Sequence, residues 1–189
     1  MPPRSKPHTL GVDDAPFDKQ QTGPVPVIAV AMEGADLIES IAVGEFPVDG
    51  ENATEYLAGW IARLRARPML QAIILGGITI AGLGIIDVNA LAQRLGLPVL
   101  VVTRRNPARS DLADALRAAG LRSRLELLEQ IPRAYGVGDG LFLAHAGAPR
   151  VEAERLLLAT LGKSRLPEPL RVAHLIGQAL VLRESRGRV

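Results

Sequence analysis

The chain has no cysteine among its 189 residues. Disulfides, thiolate metal sites and cysteine nucleophiles are therefore excluded, while the redox compartment is left open. Aromatic residues make up only 3%, too few for an extended platform on which single-stranded bases stack. Neither sign of charge dominates: 22 Lys and Arg stand against 20 Asp and Glu, a net charge of +2. That excess mildly favours an anionic partner. No apolar run approaches the roughly 18 to 20 residues of a membrane span. The basic start MPPRSKPHT has no apolar segment behind it, as a secretory leader requires. A soluble cytoplasmic protein without a membrane partner is expected.

What the chain does have is aliphatic weight. Its hydrophobic fraction of 48% rests on Leu, Ala, Val and Ile, enough for a sizeable core in a single domain of this length. The expected organisation is a flexible N-terminal arm over 1–9, holding His8, and one domain over 10–189.

Hydrophobic periodicity divides that domain into elements. LGVD, PVPVIAVAMEG and DLIESIAVGEF read as three short strands with Gly and acidic turns between them, an antiparallel meander. In NATEYLAGWIARLRAR the apolar positions Tyr56, Leu57, Trp60, Ile61 and Leu64 recur at helical spacing. Asn52 is the expected N-cap there, with Glu55 three residues on as in a capping box. QAIILGGI and PVLVVT read as buried strands around a short helix, DVNALAQRLG, with Asp87 as N-cap. Two helices broken at Gly120, a strand in GLFLAHAG and two final helices complete the pattern. Strands alternating with helices imply a mixed central sheet flanked by helices, an α/β domain.

In such sheets chemistry gathers at strand ends and in the loops that follow them. Asp13 and Asp14 sit at one such place, in LGVDDAPF. Adjacent strand residues point to opposite faces, so the two acids are expected in different environments: one toward a cleft, the other holding the turn at Pro16. Asp13 reads either as a ligand for magnesium or manganese in an all-oxygen site or as a turn acid. Arg104, Arg105 and Arg109 cluster after PVLVVT, with Arg117, Arg122 and Arg124 beyond. They read as a solvated face, with Arg104 and Arg105 as phosphate contacts. His174, in LRVAH, and His145, in FLAHAG, each read as hydrogen-bonded packing residues inside apolar segments. In RLPEPLR, Pro169 suits the first turn of the last helix, and Glu168 has Arg165 or Arg171 as a partner.

The order of GVDDAPF, VDGENAT, GITIAGLGIIDV and RLPEPLRVAHLI resembles endonuclease V, with its ribonuclease H-like fold. It is closer still to an uncharacterised, largely archaeal group, domain of unknown function family ninety-nine. The likeness runs from about Leu10 to Arg188. It implies that Asp13 matches the first metal-binding aspartate and His174 a histidine near the active site, with Asp14 as a further acid for the metal. Arg104 falls where the nuclease has a lysine. Two positions depart from the pattern. Gly76, in IILGGI, stands where the nuclease has a metal-binding aspartate, and Asn52 aligns best with its glutamate, with Glu51 as the alternative after a one-residue slip. The resemblance thus implies a nucleic-acid-binding or nucleic-acid-processing protein, DNA and RNA alike open, whose magnesium or manganese site is degenerate or rewired. A second function remains open: a non-catalytic module that holds a partner protein or small anionic ligand in the old cleft. Oligomeric state is not encoded in any of these motifs.

Overall fold

In the computed structural model, which describes residues 6–21, 23–106 and 109–185, strand β1 (His8–Asp14) lies inside the main sheet. It pairs antiparallel with β2 (Val25–Glu33) on one side and parallel with β4 (Ala72–Leu75) on the other. Outward from β2 runs β3 (Leu37–Phe46); outward from β4 come β7 (Val99–Thr103), β9 (Leu141–Ala146) and β8 (Tyr135–Gly138). The order of the seven-stranded sheet is β3-β2-β1-β4-β7-β9-β8. Its parallel members β1, β4 and β7 end at the same side of the sheet, so Asp13, Gly76 and Arg104 are brought to one rim. A two-stranded hairpin of β5 (Thr79–Ile80) and β6 (Gly84–Ile85) stands above that rim.

Side chains alternate across the sheet and divide the core in two. Leu10, Val12, Ile73, Leu75, Val99 and Val101 face α1 (Ala53–Ala62) and α2 (Val88–Leu95). Ile74, Leu100, Val102 and Leu143 face α5 (Arg150–Ala159), while Ile28, Val30 and Met32 face α6 (Glu168–Leu182). The mixed α/β architecture expected from the alternating pattern is therefore present, with helices on both faces. The remaining helices, α3 (Arg109–Ala118) and α4 (Leu125–Gln130), flank the path from β7 to β8.

Several local expectations need correcting. His8 and Thr9 belong to β1 rather than to a loose arm; Thr9 is fully buried and His8 Nδ1 lies 2.8 Å from Glu39 Oε2. Of the expected arm, residues 1–5 lie outside the described residues. The capping box at α1 does not form: Asn52 sits at the N-cap with φ 58° and no side-chain cap bond, and Glu55 instead accepts from Arg94 Nη2 at 2.8 Å. Arg124 does not belong to a solvated face. It is 7% exposed and donates to the carbonyls of Leu83 (2.6 Å) and Asp49 (2.8 Å), clamping the β5–β6 hairpin to the loop after β3. Asp87 does cap α2, accepting from the Ala90 amide at 2.9 Å, an interaction worth about 1 kcal/mol.

Close approach of α6 to the centre of the sheet depends on Gly11. A Cβ there would lie 2.3 Å from the Pro169 carbonyl carbon and 2.4 Å from the Leu170 amide nitrogen. Glycine lets the helix backbone rest on the strand backbone, and α6 then runs over Asp13 toward Ala15 and Ile28, where Gly177 makes the next close contact. Pro169 in the first turn and the Glu168–Arg171 pair (2.6 Å) fix the start of the helix. Among the described residues, no helix is long and apolar enough to cross a membrane.

Candidate active site at the ends of the parallel strands

Asp13 closes β1 on the α6 face, and the helix docked through Gly11 brings His174 over it. His174 Nδ1 lies 2.8 Å from Asp13 Oδ2, and Gln178, one turn on, has Nε2 3.1 Å from His174 Nε2. The pair joins residues 161 positions apart, so only the tertiary fold makes it. The Asp13 hydrogen bond holds the imidazole pKa above its ordinary 6.5 against the opposing effect of burial, while the Arg104 charge works in the other direction. His174 is 39% exposed, open to the space in front of it. That space is a cleft of about 750 Å³ bordered by Asp13, Gly76, Thr103, Arg104, Arg105 and His174, with Leu166 and Leu170 at the α6 end.

Behind it lies a smaller chamber of about 150 Å³, which shares Asp13 and Gly76 with the cleft and adds Asp14, Thr79 and Ile80. The expected separation of the two acids is thus incomplete. They leave the strand on opposite faces, yet at its end both border one chamber. Asp14 does not hold the Pro16 turn; its Oδ2 accepts from the Ala81 amide at 2.9 Å and so ties β1 to the β5–β6 hairpin. Burial, followed by the negative charge of Asp13, raises the Asp14 pKa from 3.8 to about 6.

The divalent ion that the resemblance implies needs several anionic oxygens converging on one point. Asp13 supplies one carboxylate, already bonded to His174, and Asp14 is turned to a backbone amide. Gly76 has no side chain where its Cβ would stand 3.4 Å from Asp13 Oδ1. Asn52 is exposed and borders neither cavity, and Asp49 is spent accepting from the Leu83 amide at 2.7 Å. Among the described residues, no three His, Asp or Glu side chains are grouped to hold one ion. A cation of this kind takes its affinity from several anionic oxygens, so this set does not fit a resident magnesium or manganese.

Of the remaining sequence candidates, Arg104 and Arg105 are exposed on the cleft wall. Arg109 is not with them: its guanidinium donates to the carbonyls of Leu128, Ile131 and Pro132. His145 is far along the sheet, with its ring edge-on to Tyr135 at 5.9 Å and no hydrogen bond to Nδ1, so it is packed but not bonded as expected. Two contributors escaped the sequence reading. Gln178 follows His174 by one helical turn, a spacing that signals a shared face. Thr103 ends β7 on the cleft side, and nothing in its local pattern marks it.

The profile of the endonuclease dU family matches residues 5–181. The chain belongs to this family. Among its relatives, a UPF0215 protein of Methanothermobacter thermautotrophicus is 31% identical over 188 residues, covering 97% of this chain and 92% of that one. A UPF0215 protein of Deinococcus radiodurans is 36% identical over 191 residues, covering 98% and 96%. Among solved structures, a protein of unknown function from Archaeoglobus fulgidus superposes with a TM-score of 0.85 at 30% identity, over 93% of this chain and 99% of that one. Endonuclease V of Ciona intestinalis, in complex with a 24mer DNA containing an inosine followed by a ribo-adenosine, superposes with a TM-score of 0.57 at 13% identity, over 88% and 82%. At that identity the likeness is one of fold, and it agrees with the mixed sheet expected from the motifs of this family member.

Proposed function

We propose that this member of the endonuclease dU family binds a nucleic-acid strand in the cleft at the ends of β1, β4 and β7 and acts on its phosphodiester backbone. The observation that carries the reading is the opposition of Asp13 and His174 to Arg104 and Arg105 across one cleft. Two guanidinium groups suit a phosphate, which they hold by charge-assisted hydrogen bonds. Asp13 orients His174 and favours its protonated form. In its neutral form the imidazole takes a proton from a water whose oxygen bonds to phosphorus; the imidazolium so formed, which Asp13 stabilises, gives that proton to the oxygen whose bond to phosphorus breaks. Arg104 and Arg105 stabilise the charge that builds on the phosphoryl oxygens between those steps.

The family's description names dU, so a strand carrying deoxyuridine is the first substrate to try. Kinship with the largely archaeal family ninety-nine belongs to the same reading, as do a cytoplasmic location and a single domain that includes all of β1 from His8. Magnesium or manganese enters only as a question of measurement, since the donor set does not fit a resident ion. The second reading, binding of a strand, a partner protein or a small anion without turnover, is favoured by the bare Gly76 beside Asp13.

The test uses a single-stranded oligonucleotide with one deoxyuridine, its thymidine counterpart and the matching RNA. Fluorescence anisotropy reports binding and a sequencing gel reports cleavage. Site-specific cleavage lost in Asp13→Ala and His174→Ala supports the catalytic reading. Strand binding without cleavage supports the second, and no binding to any of the three overturns strand binding in either reading, leaving the second only with a partner protein or small anion.

A further inference from the structure

Thr103, at the end of β7, borders both the cleft and a second cavity of about 390 Å³ on the α1 and α2 side of the sheet, between the end of β7 and the segment that enters β8. Ile78, Val101 and Ile131 give this cavity apolar walls, with Asn106 and Arg133 as polar residues on it. Arg109 builds the wall, because its three carbonyl bonds pin the Leu128–Pro132 segment in place. Arg133, by contrast, is exposed. A third hollow of about 650 Å³ adjoins through Arg109 and Arg133, but it brings Asp114 and Glu129 with it. Arg117 there is neutralised by Asp114 at 2.7 Å. Positive charge therefore runs from Arg104 and Arg105 to Arg133 and stops.

The other flank of the cleft differs. Its wall is Leu166 and Leu170, and the nearby Arg171 is held by the buried Glu168. The lining of the cleft is thus charged at Arg104 and Arg105 and apolar at Leu166 and Leu170, with the exposed Arg165 next to Leu166 along the chain.

We propose that the groove beyond Thr103 is a one-sided extension of the strand-binding site, in which Arg133 holds a phosphate flanking the one at Arg104 and Arg105; this rests on the nucleic-acid reading above. Among the described residues that line the groove none is aromatic, so they offer no stacking platform. Contact through phosphate positions a strand without reading its sequence. Asp114 is taken up by Arg117, and Glu129 turns the lining acidic beyond Arg133, so the extension is short.

The test starts from a trinucleotide centred on deoxyuridine and lengthens it one thymidine at a time, on the 5′ or the 3′ side only. Affinity is expected to rise several-fold on lengthening one side, to level off after about two additions, and to change little on the other side. Arg133→Ala removes the gain and flattens the dependence of log affinity on log salt by about 0.7, the loss of one single-strand phosphate contact. Arg133→Lys restores most of it, and Arg117→Ala, already paired, leaves it unchanged. Equal gains on both sides, or a one-sided gain that survives Arg133→Ala, would overturn the extension while leaving the cleft itself intact. Failure of every length to bind overturns the nucleic-acid reading and the groove with it.

Discussion

Burial and the Asp13 charge lift the Asp14 carboxyl to about 6, while the amide of Ala81 works against the shift. The folded state then holds a proton that the unfolded chain has released, so stability falls as pH rises between about 4 and 6. Asp14→Asn keeps an oxygen for the Ala81 amide and removes the buried charge. The variant is expected to gain roughly 1–3 kcal/mol over the parent above pH 6 and nothing below pH 4, as read from urea melts at both pH values. His174 shifts stability in the same direction, in a higher pH window. Its folded pKa is raised above 6.5, mainly by the Asp13 hydrogen bond, so that bond's contribution is full below 6.5 and is lost as pH rises through the raised value. In Asp13→Asn the imidazole is expected to titrate at lower pH, seen by NMR of its ring protons; an unchanged midpoint would separate the two residues. On the cleft's far wall, Arg104→Ala with Arg105→Ala is expected to weaken oligonucleotide binding and to reduce the salt slope by about 1.4, two phosphate contacts. Asp13, His174, Arg104 and Arg105 were all visible in the sequence as separate candidates. Their meeting was implied only by the family resemblance, because a contact between residues 161 positions apart has no local signal.

At the level of elements, α6 carries the site, and Gly11 decides where α6 rests. Gly11→Ala places a methyl group against the Pro169 and Leu170 backbone, which has no flexible side chain to move aside. Overpacking of this kind costs typically 1–3 kcal/mol, and here the upper end is expected in a urea melt. The same change lifts His174 from Asp13, so the raised imidazole pKa should relax with it; a destabilised variant with an unaltered His174 titration would break the link between helix seat and site. The main strands and helices were legible because each runs long enough to show a period of 2 or 3.6 residues. The hairpin β5–β6, with two residues per strand, is too short to show either. Strand β8, YGVG, hides its pairing behind glycines and a register shift. Arg124 was misread for a related reason: a charged residue in a polar run looks solvated until the carbonyls of Asp49 and Leu83 are found beside it.

For the whole molecule, the sheet keeps the geometry of its structural neighbours while one corner of the site is bare. Gly76 ends β4 on the face of Asp13 and has an unstrained φ, and a Cβ there meets Asp13 Oδ1 at 3.4 Å and Leu170 Cδ1 at 3.5 Å, ordinary contacts. A carboxylate placed there would share a cation with Asp13 without disturbing the fold. Gly76→Asp is therefore expected to create a manganese site that the parent lacks. Two carboxylates so close repel each other, so the variant alone should melt lower than the parent. Millimolar manganese should then raise its melting temperature by several degrees, since a ligand at 100 times its Kd adds about 2.7 kcal/mol. The parent should shift by less than a degree. An equal shift in the parent, abolished by Asp13→Ala, would show that neighbouring oxygens already assemble the site and that residue 76 is dispensable to it. The fold was readable from pattern because every layer contributes to it; the fate of the metal turns on one side chain that is absent, and only the distance from Gly76 to Asp13 turns that absence into a measurable expectation.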